Sequence, residues 1–430
     1  MSETYSFGDL VEKYIDNRGK TPPLSESGVP LLEVKHLPAE GKYPTLQTSK
    51  HVSQDVYDTW FRAHLEAGDI LFSTVGTTGR VSITPKNTKV AIAQNVLGLR
   101  FKSSLFDPAF AFYYLRSKPF QHEIESRLIT TVQASIKRSD MVGIPMHLPE
   151  IPVQKCIASV LSALDDKIEN NRRMNETLEE MARAIFKSWF VHFDPVHAKA
   201  AGNSPAHMDA ETAALFPSLF GDDGLPAGWS CVPVSEVAQL NKATLKPSEF
   251  SEDYIEHYSL PAFDDGAFPA IDFGGEVKSN KTIVPPNSVL LSKLNPNIQR
   301  VWLPVFYTSH KTVSSTEFLV LTENGLGTRN FLYSLFCSRA FTVRYEGLVT
   351  GTSKSHQRVR PQMLLDMEVT LPTVEIIEAY TKCVDSMFAK ILTNRKENQT
   401  LTTLRDTLLP KLMSGEIRVA DAESEVEAAI

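Results

Sequence analysis

Four short stretches combine glycine, hydroxyl or carboxamide side chains and a cation just after a strand-like segment, which suits contact with nucleic-acid bases and phosphates. In the first half of the chain these are STVGTTGR (73–80), offering Thr74, Thr77, Thr78 and Arg80, and TTVQASIKRSD (130–140), offering Gln133, Ser135, Lys137 and Arg138. In the second half they are SKLNPNIQR (292–300), with Lys293, Asn295, Asn297, Gln299 and Arg300, and TGTSKSHQRVR (350–360). The last is the richest, holding Thr352, Ser353, Lys354, His356, Gln357, Arg358 and Arg360. Gln and Asn can pair bidentately with adenine and Arg with guanine, while Lys, Ser and Thr suit phosphate oxygens. One such loop alone is an ordinary solvated turn. Recurrence at equivalent places in both halves makes all four candidates for DNA contact.

Sequence signatures of catalysis are missing. Pro22-Pro23-Leu24 and Pro285-Pro286-Asn287 do not make the tetrad of an adenine methyltransferase, and there is no GxxxxGK[ST] phosphate loop, HExxH or GxSxG. Asp272 with Glu276-Val277-Lys278 resembles a scrap of a metal-dependent nuclease, but the gap is short for that pattern and the first half has no counterpart. Cys156, Cys231, Cys337 and Cys383 stand far apart without a CxxC pair or a close His, so neither a zinc site nor a disulfide framework is expected. The residues describe a reader, with no catalytic and no metal site.

The elements that must position these loops are betrayed by an internal repeat. KIENNRRMNETL (167–178) returns as KILTNRKENQTL (390–401), with seven of twelve positions identical. Around the first copy, Ile157, Leu161, Leu164, Ile168, Asn171, Asn175, Leu178, Ala182, Ile185 and Trp189 follow a 4, 3, 4, 3 spacing, the narrow seam of a coiled coil. Around the second, Tyr380, Val384, Met387, Ile391, Asn394, Asn398, Leu401, Arg405, Leu408 and Leu412 repeat it, with Arg405 a misfit and Pro410 expected to loosen the last turns. The simplest burial of two such seams is one against the other, antiparallel, with the asparagines facing one another to fix register.

The bodies echo each other more faintly. GDILFSTV is answered by NSVLLSKL, FYYLRSK by LYSLFCS, and an LP pair precedes each long helix. The expected organisation is a first body over 1–150, a central helix over 151–195 stopped by Asp194-Pro195, a connector over 196–224, a second body over 225–372, a distal helix over 373–415 and a disordered acidic tail over 416–430. The fold class is α+β: two α/β bodies separated by two long helices that pair as an antiparallel coiled coil, a pseudo-twofold internal repeat. Helices of about 40 residues make a strut of roughly 60 Å. Unlike bodies at its ends would suit two unlike half-sites of one duplex.

Composition bounds the alternatives. Hydrophobic residues at 42% and charged residues at 22% are ordinary for a globular protein, and no apolar run approaches the roughly 20 residues of a membrane span. The opening MSETYSFGDL has neither a basic nor an apolar leader region, so no export signal is read and a cytoplasmic location is expected. With a net charge of −7, any nucleic-acid surface must be a local patch.

Several stretches carry a family resemblance over nearly the whole chain: LP…IENNRRMNETLEEMARAIFKSWFVHFDPV, DAETAALFP before LPAGW, NRKENQTLTTLRDTLLPKLMSGEI, GDILFSTVGTTG and GTSKSHQRVRP. They resemble the specificity (S) subunit of type I restriction-modification enzymes. The resemblance implies two target recognition domains, each reading half of a split DNA sequence, with helices as a ruler. It implies partners too: double-stranded DNA, two methyltransferase (M) subunits that methylate adenine and, in the full complex, restriction (R) subunits. S-adenosylmethionine, ATP and Mg2+ would sit on those partners and none on this chain. The outward faces of the helices would dock the M subunits, an expectation attached here to Leu161, Leu164 and Ile168. The competing reading is a coiled-coil protein-interaction scaffold with no DNA role.

Overall fold

The structure is a computed structural model and describes residues 3–17, 19–39, 41–130, 133–349 and 357–429. Contacts divide the chain into two units, Met1–Asn171 with Glu397–Ile430, and Arg172–Lys396. The division falls inside both long helices, Ile151–Phe190 and Val374–Ser414, so each unit owns half of each helix.

In the first unit the main sheet is antiparallel, in the order Val11–Ile15, Val96–Phe101, Ile70–Ser73, Val81–Ile83. Its inner strands are buried on both faces because one is covered by helices and the other by a small sheet of His51–Val52, Val29–Leu32 and Ala91–Ile92, while Glu12 and Lys13 of the edge strand are exposed. The aromatic helix Pro108–Arg116 is started by Asp107, whose carboxylate accepts from the amides of Ala109 and Phe110, with proline in the first turn. It buries Phe110, Phe112 and Tyr113 in the core. Gln154, itself buried, ties the first long helix to this body: its Nε2 donates to the carbonyls of Leu105 and Pro149, and its Oε1 accepts from the Asp107 amide.

The second unit repeats the plan. Its main sheet runs Ala238–Leu240, Phe318–Glu323, Ser288–Ser292, Val301–Trp302, again antiparallel and with the same topology. Each body is closed by a two-stranded ribbon joining its first strand to the strand before a long helix, Glu3–Ser6 with Pro145–Leu148 and Ser230–Pro233 with Glu368–Leu371. The second unit differs in its smaller sheet, which has five strands where the first unit has three.

Within each unit the helix halves pair antiparallel. In the first, Asn171 Nδ2 donates to Asn398 Oδ1 at 2.9 Å, while six residues back along one helix and seven residues further along the other, Asp165 and Arg405 reach each other. In the second, Asn394 Nδ2 donates to Asn175 Oδ1 at 2.8 Å. The repeat makes Asn171 equivalent to Asn394 and Asn175 to Asn398, so the same bond is made once in each unit. Leu161, Leu164, Ile168, Val384, Ile391 and Leu401 of the seam are buried, and Leu178 and Met387 partly so.

Four expectations need correction. Arg405 is no misfit: its guanidinium is 6% exposed and donates to Asp165, 4% exposed, at 2.9 Å, while Asp406 takes a second bond. Asp165 in turn accepts from the Tyr113 hydroxyl at 2.7 Å, which ties the distal helix to the body. The acidic tail is not disordered, since Val419–Glu427 is helical and buries Ala422 and Val426 in the first unit's core. Asp194-Pro195 does not simply stop a helix. The first long helix ends at Phe190, Phe193 turns the chain at a φ of 55°, and Asp194 and Pro195 begin the next helix, Asp194–Ala200. Finally, Leu161, Leu164 and Ile168 are core residues of the first unit and cannot be an outward docking face. The distal helix also runs on through Pro410 to Ser414. Among the described residues, no helix is long and apolar enough to cross a membrane.

Arg405→Met should destabilise the first unit by about 3–5 kcal/mol, because it strands a buried carboxylate. Adding Asp165→Asn should recover most of that loss while keeping an acceptor for Tyr113. Urea denaturation of the single and double variants measures both.

Candidate nucleic-acid interface

The two candidate loops of each unit are brought together by one backbone device. In the first unit, Val75 and Ser135 form an antiparallel bridge in which the Gly76 amide donates to the Ala134 carbonyl at 2.9 Å and the Ile136 amide to the Thr74 carbonyl at 3.0 Å. In the second, Leu294 and Arg358 form the same bridge, with Asn295 N to Gln357 O at 2.8 Å and Val359 N to Lys293 O at 3.0 Å. Behind each clamp lies a buried serine that ends a sheet strand. Ser73 Oγ donates to the Thr77 carbonyl and accepts from the Arg80 amide, and Ser292 Oγ donates to the Leu294 carbonyl. A polar side chain at this depth is tolerated because it closes the turn that follows.

The side chains divide into those spent on the fold and those turned outward. Thr74 and Thr78 donate to the carbonyls of Asn95 and Ala134, and Arg80 to that of Leu37 at 2.9 Å. Thr77, Gln133, Lys137 and Arg138 are exposed and Ser135 is half-buried. Arg138 lies over the Tyr14 ring at 3.5 Å, a cation–π contact that holds the guanidinium in place. Burial raises the Tyr14 phenol above its ordinary range, against the opposing pull of that guanidinium.

In the second unit Asn297 and Arg360 are exposed, and Lys293 and Gln357 half-buried. Gln299 is committed to the fold, since its amide nitrogen donates to Cys337 O and Thr342 Oγ1, each at 2.9 Å. Arg300 is held bidentately by Asp264 at 2.7 and 2.8 Å. Asn295 takes a φ of 49° and buries its Oδ1, which makes it a turn residue. Arg358 is gripped by Glu317 through Nε at 3.2 Å and Nη2 at 2.9 Å. Thr352, Ser353, Lys354 and His356 lie outside the described residues.

Sequence reasoning missed three residues beside these loops: Gln94, Asn95 and Glu317. Each directly precedes or flanks a strand start, where an adjacent Gln-Asn or a lone Glu carries no motif of its own. The nuclease-like scrap dissolves in three dimensions. Asp272 binds His257 Nδ1 at 2.7 Å, while Glu276 and Lys278 are exposed. Burial lowers the His257 pKa, opposed by that hydrogen bond. Among the described residues no group of His, Cys, Asp or Glu could hold a metal ion, and the four cysteines are free thiols. Burial pushes the Cys337 thiol up to about 12, which leaves it inert.

A duplicated α+β body, carrying paired loops of polar and basic residues and joined to a long antiparallel helix pair, has counterparts among known proteins. Residues 2–180 match the family described as type I restriction modification DNA specificity domain. The chain is 27% identical to the type I restriction enzyme HindI specificity subunit of Haemophilus influenzae, over 82% of this chain and 87% of that one. It is 28% identical to the MjaVIII specificity subunit of Methanocaldococcus jannaschii, over 97% of this chain and 93% of that one. In fold it is similar to the crystal structure of a type I restriction-modification S subunit from M. genitalium, with a TM-score of 0.52 at 18% identity and 96% of each chain covered. Along nearly its whole length the chain is thus similar to type I restriction enzyme specificity subunits.

The division of labour among the loop residues is measurable. Gln299→Ala should destabilise the second unit by about 0.5–1.5 kcal/mol through its lost hydrogen bonds, while Asn297→Ala should stay within about 0.5 kcal/mol. Denaturant titration of the two variants compares them directly.

Proposed function

We propose that each unit reads one half of an asymmetric, bipartite DNA target through its clamped loops, and that the long helices set the spacing and dock two methyltransferase subunits. The observation that carries this reading is the repeated backbone clamp. It joins the loops by the same main-chain bonds in both units but with unlike side chains around them, which matches two half-sites of unlike sequence. Exposed Lys137, Arg138 and Arg360 supply cations for phosphates, while Gln133 and Gln357 supply carboxamides for bases. With a net charge of −7, most of the phosphate grip would come from the partner subunits.

In this reading the chemistry lies on partners in the cytoplasm: methyltransferase subunits bind S-adenosylmethionine and methylate adenine, and restriction subunits use ATP and Mg2+. Docking moves from the buried seam to outward residues. Met174 and Met181 stand seven residues apart on the first long helix and are 45% and 47% exposed, an apolar stripe that a partner helix would cover.

Two tests address these points. Sequencing of methylated adenines in cells expressing this chain with its methyltransferase partner should return a split, asymmetric target, and replacing Gln133, Lys137 and Arg138 by Ala should alter one half of it only. Equal loss at both halves would contradict modular reading. Met174→Asp with Met181→Asp should abolish co-purification with the methyltransferase subunit without unfolding the chain; intact assembly would refute that docking surface.

A further inference from the structure

Asn95 and Glu317 occupy the same place in the two units. Each stands just before the second strand of its main sheet, Val96–Phe101 or Phe318–Glu323, and each lends its carbonyl to the clamp. The Thr74 amide donates to Asn95 O at 2.9 Å, and the Lys293 amide to Glu317 O at 3.0 Å. Ser135 and Arg358 are matched in the same way, as the bridging residues opposite Val75 and Leu294. One pair of positions beside one clamp therefore carries Asn and Ser in the first unit and Glu and Arg in the second.

Their chemistry differs in kind. In the second unit the two carboxylate oxygens of Glu317 hold Arg358 in a fixed plane, with the guanidinium still half exposed. A net-neutral pair is a poor phosphate ligand, because it displaces few counterions from the duplex. A guanidinium with its plane already set is well suited to guanine O6 and N7, and a carboxylate beside it to the N4 amino group of the paired cytosine. In the first unit only the backbone of Asn95 serves the clamp. Its side chain and that of Gln94 are exposed at the edge of an open recess lined also by Asn17, Lys35 and Lys50. Both lysines there pair with Glu33, at 3.1 and 2.6 Å, so the three side chains together carry a single net positive charge. A carboxamide presents a donor beside an acceptor, the complement of adenine N6 and N7.

We infer that these matched positions are specificity-determining: Gln94 and Asn95 read an adenine in one half-site, and the Glu317–Arg358 pair reads a guanine·cytosine pair in the other. The inference rests on the proposed DNA-reading role and adds the residues and base classes. It is tested on the complex with the methyltransferase subunit, by sequencing methylated adenines in cells and by selecting duplexes from a randomised pool with the purified complex. Gln94→Ala with Asn95→Ala should lower preference at one A·T pair by about tenfold or more, leaving the other half-site unchanged. Arg358→Lys keeps the charge but loses the fork, and should relax one G·C pair by a similar factor. Glu317→Asn with Arg358→Ser, which installs the first unit's residues, should do the same.

Unchanged targets in all three variants overturn the inference while leaving the DNA-reading role standing. A uniform loss of binding across all sequences also overturns it, since the positions would then serve affinity or folding alone. A wild-type complex with no target preference would sink the DNA-reading role itself.

Discussion

A carboxamide sealed between two helices must find a partner, and this chain depends on that requirement. Each unit contains one asparagine-to-asparagine hydrogen bond, Asn171 with Asn398 and Asn175 with Asn394, in a seam that is apolar apart from these amides and the buried Asp165–Arg405 pair. Sliding one helix by a heptad would set Asn171 against Ile391 or Arg405 and Asn175 against Met387 or Leu401, and leave several polar groups unpaired, at about 1–3 kcal/mol each. Apolar residues alone would bind more firmly but tolerate several alignments. Lys167 with Glu397 and Asn171 with Glu397 reinforce the same register in the first unit, and Arg395 with Glu179 does so in the second.

Arg395 also shows how the helices reach the bodies. Its equivalent in the repeat is Arg172, yet Arg395 alone is placed to donate to Glu179 and toward the Leu303 carbonyl of the second body. In the first unit that bridging task falls to other groups, Tyr113 on Asp165 and Lys42 on Asp166. Conserved architecture is thus carried by different side chains in the two copies. The recognition loops follow the same rule: their clamp is made of main-chain groups, which every residue possesses, so the side chains around it are at liberty to differ.

How much of this was legible in the residues follows from the range of the interactions involved. The seam and the repeat are local and periodic, so 167–178 and 390–401 announce both helices. The candidate loops were legible as turns after apolar strands. What they do with their side chains was not, because Gln299 meets Cys337 and Thr342, and Arg300 meets Asp264, through contacts some 36 to 43 residues away in sequence. Arg405 looked wrong in a seam because its partner Asp165 lies 240 residues off. The tail was misread by composition: its many carboxylates obscure Val419, Ala422 and Val426, spaced to make one apolar stripe along a short helix. Gln94 and Asn95 carry no motif, and what connects them to the loops is the pair of bonds from the Thr74 amide and hydroxyl to the Asn95 carbonyl.

The way the units cut across the chain bears on its biosynthesis. Residues 172–396 form one uninterrupted unit, whereas the other needs Glu397 onward to complete what Met1–Asn171 begins. A chain emerging from the ribosome at about 5–20 residues per second can therefore close the middle unit while the first is still waiting for its last strip of helix. Until that strip arrives, Leu161, Leu164 and Ile168 have no Leu401, Leu408 or Leu412 to pack against. The nascent polypeptide thus carries a sticky helical half for the seconds that synthesis of that strip takes, a window in which chaperones or a sister chain compete for it.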